Sequence, residues 1–537
     1  MGVRAGRGQR LGRPGLGRLD APDPALMRAD RGRFRRRSTF PAALVLIAAA
    51  LLVDGSVANA HLGSPDVFFE GNAGPYPLLV TIRPPEVIPG VAMVDVQAPD
   101  DQLRLVTLVP TPLRGPGAVL PPTADVANAE VGDPHRFSAK LWFMASGSWQ
   151  VRVHVDGPRG AGDLAVPVPA LAMRTKTMQR GLGLGLAALL AFLVAGMISI
   201  VGASVRDAAL ESGQQPDGQR RRRGRVAQTV AAAVLTALVL GGATWWGDEA
   251  SGYGQKVYKP LGLQATTAMG VDGGVTLSLT LTDPGWAKSR RLDDLVPDHE
   301  HLMHLYVVRV PAMDVVAHLH PDQSQPGKFQ RALPALPPGD YQLFADIVHQ
   351  TGLAETATAT VTLPAAKGGA PMGDDAVGAG PALATGAAAT RAFRLPGGGQ
   401  VVWLGGDSAD PLRAGRTTWF RFRVDGADGK PAGDVTPYMG MAGHAAFIKD
   451  DRSVFAHIHP SGSVSMAALG LIDSGSGGGA SADPHAAHRG HAGHHAAALP
   501  PEIAFPYACP TPGLYRIVVQ FKRGDVIQTA FFSARAD

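Results

Sequence analysis

Two stretches of this chain, 140 residues apart, carry the same pattern of prolines and histidines, so one local unit has to fold twice. The first runs Pro297, Asp298, His299, Glu300, His301, Leu302, Met303, His304, and continues at Ala317, His318, Leu319, His320, Pro321. The second runs Pro437, Tyr438, Met439, Gly440, Met441, Ala442, Gly443, His444, and continues at Ala456, His457, Ile458, His459, Pro460. Residues 302–309 and 315–320 are strand-like and flank a turn around Pro311. A hairpin with His304 opposite His318 puts His304, His318 and His320 on one face, because side chains alternate along a strand. His444, His457 and His459 repeat the arrangement. Their turn is one residue shorter, so a bulge or slipped register is expected to separate the copies.

Where the first copy has His299 and His301, the second has Met439 and Met441. Imidazole and thioether share the ability to ligate soft and borderline metals. Three imidazoles with an upstream donor suit copper, with zinc as the alternative, and the methionine version leans towards Cu(I) if those sulfurs ligate. The duplication also allows a purely structural role, in which the histidines satisfy buried backbone groups.

The repeat extends further. Pro338-Gly339-Asp340-Tyr341-Gln342-Leu343 matches Pro512-Gly513-Leu514-Tyr515-Arg516-Ile517. The wider spacing there places an insertion at 470–500, a Ser/Gly/Ala/His-rich tract expected to be disordered. Its His485, His488, His491, His494 and His495 read as a low-specificity ligand for divalent transition metals, or as a polar spacer.

Residues 1–37 hold eleven arginines against three aspartates, so the formal charge of +5 is concentrated there and the rest is nearly neutral. Nothing in that remainder resembles a nucleic-acid-binding surface. The basic head, an apolar run at 41–53 and Ala58-Asn59-Ala60 form a signal peptide over 1–60, with Met27 as an alternative start and an uncleaved anchor as the other reading. Cleavage after Ala60 would leave His61 as an amine-plus-imidazole pair able to chelate copper.

Residues 181–205 and 226–247 are apolar and long enough to span a bilayer. The loop 206–225 carries Arg206, Arg220 to Arg223 and Arg225, which places it in the cytoplasm, and Trp245 and Trp246 fit an interfacial belt. Both polar regions then lie outside the cell membrane, on the periplasmic or extracytoplasmic side.

Region 61–175 reads as an Ig-like β domain. Phe137, Ala139, Leu141 and Phe143 alternate with polar residues, as do Trp149, Val151, Val153 and Val155, with Ala145-Ser146-Gly147-Ser148 as a hairpin turn between them. Residues 256–365 and 391–537 form the two His-x-His domains, joined by a Gly/Ala/Pro-rich flexible linker at 366–390. The fold class is mainly β: three Ig-like or cupredoxin-like sandwiches plus two transmembrane helices. Cys509 is the only cysteine, which rules out an intramolecular disulfide and reads as a core filler.

No phosphate loop, dinucleotide fingerprint or nucleophile elbow stands in a supporting context. The run from Asp298 to His304 fails the zinc-protease pattern, since Met303 stands four residues after His299. The expectation is a protein that is not an enzyme. His61 after an Ala-x-Ala-like site, the strand with Gly147 and Trp149, and the paired His-x-His-Pro units resemble the small YtkA-, FixH- and CopC-type domains of bacterial envelope proteins. That resemblance implies copper storage, resistance or delivery. Its FixH side implies the alternative, a scaffold or assembly factor for an envelope partner such as a respiratory oxidase. A multicopper oxidase is a weaker third reading, because Cys509 lacks the usual Cys-His spacing.

Overall fold

The computed structural model describes residues 66–99, 102–114, 116–286, 290–384, 389–405, 412–475 and 498–537. The expected signal peptide, His61 and the histidine tract lie outside them. Within them the chain is mainly β, arranged in several sheets, with two long apolar helices. Helices Arg180–Asp207 and Gly218–Gln255 contain 18-residue windows of mean hydropathy 2.6 and 1.8 and are long and apolar enough to cross a membrane. Leu190, Phe192, Ile200 and Leu238 on them are exposed.

The first β-region is two sheets closed on one core. Phe137, Ala139, Leu141 and Phe143 from Asp133–Phe143 meet Val151, Val153 and Val155 from Gly147–Gly157. These strands do not form the expected hairpin. Asp133–Phe143 pairs with Gly90–Gln97, while Gly147–Gly157 pairs with Leu105–Pro112 and Gly160–Ala170 in the other sheet. The connection at 144–146 crosses the core. Alternation alone cannot separate the two cases, since both strands bury the same alternate residues.

The second and third β-regions repeat one another. Gly339–His349 pairs with His304–Arg309 and Ala354–Leu363, and Gly513–Arg523 pairs equivalently with His444–Lys449 and Val526–Ala536. Tyr341 Oη donates to the Pro337 carbonyl at 2.7 Å, and Tyr515 Oη to the Thr511 carbonyl at 2.7 Å.

The hairpin registers differ from the expectation. Leu305 faces Leu319 and Tyr306 faces His318, so His304 falls opposite His320 rather than His318. In the third region Ala445 faces Ile458 and Ala446 faces His457, which sets His444 opposite His459. The shift is by two residues, which keeps all three histidines on one face. The copies therefore share one register. The extra residue of the first copy is absorbed in the turn between the strands rather than in a bulge.

Residues 366–390 are also more than a linker: Ala376–Ala379 adds to the sheet beside Val315–Leu319. Its neighbour Asp375 is buried and held by Arg331, a tertiary contact that composition does not announce. At the head of the 470–500 insertion, Met466–Gly475 forms a helix.

The two repeats meet through the same positions. Tyr306, Val308, Val316 and Phe344 of the second region pack on Ala446, Ile448, Phe455 and Val518 of the third, each the counterpart of one of the four. Phe344 stacks on Phe455 with centroids 4.3 Å apart.

A buried ionic network lies apart from the repeats' shared face. His349 bonds Asp294 Oδ1 through Nδ1 at 2.7 Å and Glu355 Oε2 through Nε2 at 3.0 Å. Arg290 and Tyr258 reach Glu355 Oε1 at 2.9 and 2.7 Å. Burial alone would lower the His349 pKa, but the two carboxylates outweigh it and hold it above the usual range. Replacing Glu355 with alanine removes the buried carboxylate that Arg290, Tyr258 and His349 share and leaves Arg290 paired to Asp283 alone, and denaturant unfolding of the full chain should show a loss of about 3 kcal/mol. A loss under about 1 kcal/mol would show that water reaches the network.

Candidate metal centre

Eight histidines converge where the two repeats face one another: His299, His301, His304, His318 and His320 from the second region, and His444, His457 and His459 from the third. Rings from the two regions lie close together, with His304 to His457 at 5.4 Å and His318 to His457 at 5.5 Å between centroids. In each triad the ligating atoms all fall within 4.8 Å of one another. The sequence suggested two separate sites, one per domain; the structure brings them into one cluster.

The outer hydrogen bonds decide which nitrogens face inward. His304 Nε2 lies 3.0 Å from the Asp298 carbonyl, which can only accept, so that nitrogen carries the proton. His318 Nδ1 meets Gln520 Oε1 at 3.1 Å, and His320 Nδ1 meets Asp375 Oδ1 at 3.1 Å. Asp375 is ion-paired to Arg331 at 2.6 Å and so accepts as a carboxylate. Each imidazole thereby turns a lone pair towards the centre. His304 Nδ1 and His318 Nε2 stand 3.1 Å apart, both as lone pairs. Burial holds His304 and His318 well below the usual histidine pKa, so protonation does not relieve the repulsion. A shared cation does: two nitrogens bound to one tetrahedral ion at about 2.0–2.1 Å lie about 3.3 Å apart. Outward N–H donation with an inward lone pair is the usual arrangement of metal-ligating histidine.

The third region repeats the inward spacing, although His444 Nε2 has no counterpart, among the described residues, of the bond that His304 Nε2 makes to the Asp298 carbonyl. His444 Nδ1 and His457 Nε2 are 3.1 Å apart, His457 Nδ1 lies 3.5 Å from Asp346 Oδ2, and His459 Nδ1 donates to the Val464 carbonyl at 3.3 Å. The supporting groups are exchanged between regions: Gln520 of the third holds His318 of the second, and Asp346 of the second holds His457 of the third. Among the described residues, His299 Nε2, His320 Nε2 and His444 Nε2 are buried without a hydrogen-bond partner. An orphaned buried nitrogen costs free energy unless something ligates it.

The upstream donors separate. His301 stays with its own triad, stacked on His320 at 3.9 Å, with Nε2 3.4 Å from Asp374 Oδ2. His299 sits at φ +48° in a two-residue turn and crosses to the third region, 5.2 Å from His444 and 5.0 Å from His459. Met439 occupies the equivalent turn position at φ +50°, half-buried, and Met441 closes that turn on Tyr438 and is buried.

Sequence reasoning missed Asp298, Tyr306 and Gln520, as well as the supporting Asp346 and Asp375. Asp298 lies within reach of His299 and His459, and its carboxylate accepts from Ala467 N at 2.9 Å. Burial raises its pKa. Tyr306 stacks on His318 at 4.2 Å, and Gln520 lies 202 residues from its histidine. Only Asp298 carried a local signal, next to His299 in the motif. Cys509 lies in the third region's core, as expected of an apolar filler, and burial pushes its thiol up to about 12.

The first β-region is fastened to the loop that carries His459. Glu70 N donates to the Ser461 carbonyl at 2.7 Å, and Ser463 N to the Phe68 carbonyl at 2.9 Å. Gly462 between them has φ +117°, and a Cβ there would lie 2.0 Å from the Phe68 oxygen. A cavity of 160 Å³ beside the cluster is lined by Asp298, His301, His304, Asp346, His457 and His459, with walls from the first region.

No curated protein matches the chain. Among solved structures it is similar to a tetra-tandem repeat in the extending region of a large adhesion protein, at 9% identity and TM-score 0.14, over 84% of this chain and 71% of that chain. It is also similar to MtrC from Shewanella baltica OS185, at 14% identity and TM-score 0.14, over 59% of this chain and 72% of that chain. Neither likeness is close enough to bear on the fold. Residues 261–365 and 399–537, the two segments that build the histidine cluster, match one family model, described as Domain of unknown function (DUF8832).

Proposed function

We propose that this chain is a membrane-anchored envelope protein that binds a transition metal, copper first and zinc as the alternative, for storage, resistance or delivery. The observation that carries the reading is the set of buried imidazoles whose outer partners turn their lone pairs inward. On this reading the protein is not an enzyme and takes no nucleic acid. Its β-regions are Ig-like or cupredoxin-like sandwiches on the external side, and the tract at 485–495, with His61, captures ions for the cluster. Copper is favoured over zinc by the imidazole-rich donor set and the nearby methionines.

The test uses the full chain in detergent, with His485, His488, His491, His494 and His495 replaced by asparagine. Competition titration with Cu(II), Zn(II), and Cu(I) under reductant should find about two tightly held ions per chain. The His318→Ala/His457→Ala double variant should lose both. Binding no tighter than the competing buffer in the parent would retire the metal reading.

A second reading, a scaffold for an envelope partner, draws on the first β-region. Met93 and Trp142 are 39% and 60% exposed on adjacent paired strands, the kind of apolar surface that partner proteins cover.

A further inference from the structure

We infer that the two repeats exchange their fourth ligand: His299 of the second region completes the third region's triad, and Met439 of the third completes the second region's triad. The centre then holds two unlike sites, one of four imidazoles and one of three imidazoles with a thioether. This rests on the metal reading above and assigns each site its oxidation-state preference.

The first half comes from ring geometry. Imidazoles around one tetrahedral ion have centroids about 5 Å apart, given metal–nitrogen bonds of about 2.0–2.1 Å. His299 lies 5.2 Å from His444 and 5.0 Å from His459, while His444, His457 and His459 lie 4.7 to 5.3 Å from each other. His299 is 6.1 Å from His304, the nearest ring recorded for it in its own region. Its Nε2 is buried with no other partner among the described residues.

The second half follows from the pseudo-two-fold axis. The relation that takes Tyr306 to Ala446 and Phe344 to Val518 takes His299 to Met439, and it exchanges the two triads. Three independent features obey it. The apolar interface pairs equivalent positions. His318 reaches across to Gln520 while His457 reaches across to Asp346. Both turns close alike, between Asp298 and His301 and between Tyr438 and Met441, with positive φ at both tip residues, Gly440 at +78° in the second. Tyr438, which precedes Met439, already crosses over: its Oη donates to the Asp374 carbonyl at 2.7 Å, beside the Asp375 that holds His320. The same relation that brings His299 to His444 and His459 would carry Met439 to His304 and His320.

The donor sets differ in hardness. Four imidazoles suit Cu(II) or Zn(II), whereas a thioether among three imidazoles favours Cu(I). One chain would thus hold a Cu(I)-preferring and a Cu(II)-preferring site whose ligand rings touch, as His304 and His457 do.

The experiment is copper K-edge absorption on the Cu(I)-loaded full chain with the tract histidines replaced. The parent should show a copper–sulfur shell that disappears in Met439→Leu and persists in Met441→Leu. In parallel, His299→Asn, which keeps a residue tolerant of positive φ, should weaken Cu(II) binding at one site by at least about tenfold and leave Cu(I) binding at the other. A copper–sulfur shell unaffected by Met439→Leu, or removed by Met441→Leu, would overturn the exchange while leaving metal binding intact. Absence of tight copper in the parent would overturn the underlying reading instead.

Discussion

Replacing Phe455 with alanine is expected to destabilise the chain by about 3–5 kcal/mol and to weaken metal binding at both triads, although Phe455 touches no metal-facing nitrogen. The ring is fully buried, stacks on Phe344, and lies 5.3 Å from Tyr306, whose own ring stacks on His318. It also stands two residues before His457 on the same strand. Truncation removes the Phe344–Phe455 stack across the repeat interface and leaves a cavity there. The distances that bring His304 and His318 near His457 depend on that contact. Thermal unfolding and copper competition on the same preparation read both effects. A loss of stability with unchanged affinity would show that the cluster does not depend on the apolar interface.

Acidification is the second large effect. Burial, with repulsion among the imidazoles, holds His304, His318, His444 and His457 well below the usual histidine range, and burial lowers His320. These five stay neutral in the fold and take up protons on unfolding once the pH drops below about 6.5, so they make stability fall with pH. Burial acts oppositely on carboxyls: Asp66 is raised to about 6, Asp346 to about 7, and Asp298 is raised too. Those three hold protons in the fold and release them on unfolding, so their contribution favours the fold at low pH and fades as pH rises through their folded values. As the pH falls from about 6.5 to 5 the five histidines come to outweigh the carboxyls and His349, whose raised pKa opposes them near the upper end, so stability falls with increasing steepness towards pH 5. The metal-free chain should therefore unfold steeply over that range, and bound Cu(II) or Zn(II) should move the transition to lower pH. Urea midpoints at half-unit pH steps give the slope, and a flat profile would mean that water reaches the imidazoles.

What could be read from the sequence follows from what is local. The offset between His304 and His444 announced the repeat, and the period of two placed each triad on one face. That conclusion survived a register error, because a shift of two residues changes partners and not faces. The arch between Phe143 and Gly147 was lost for a related reason: a strand pair that crosses the core buries the same alternate residues as a hairpin. Asp375 and the strand after it hid in a Gly/Ala/Pro stretch, where the decisive partner, Arg331, lies far away in sequence. The joining of two triads into one cluster was invisible because it depends on how two separately folded faces meet. His299 illustrates this best, since its spacing assigns it to His304 and its turn delivers it to His444 and His459.

The interface between the repeats has a further meaning. A surface that packs against its own duplicate through equivalent positions is self-complementary, the type found in two-fold homodimers. A single repeat bearing Val308, Val316 and Phe344 could pair with another copy of itself and build the centre from two identical halves. Such a dimer could not place Gln520 opposite Asp346, or Tyr306 opposite Ala446, because every substitution would appear on both sides of the axis. Carrying both copies on one chain frees each side to change alone. It also removes dilution as a hazard, since the strand at Ala376–Ala379 and the segment after it keep the second half always at hand.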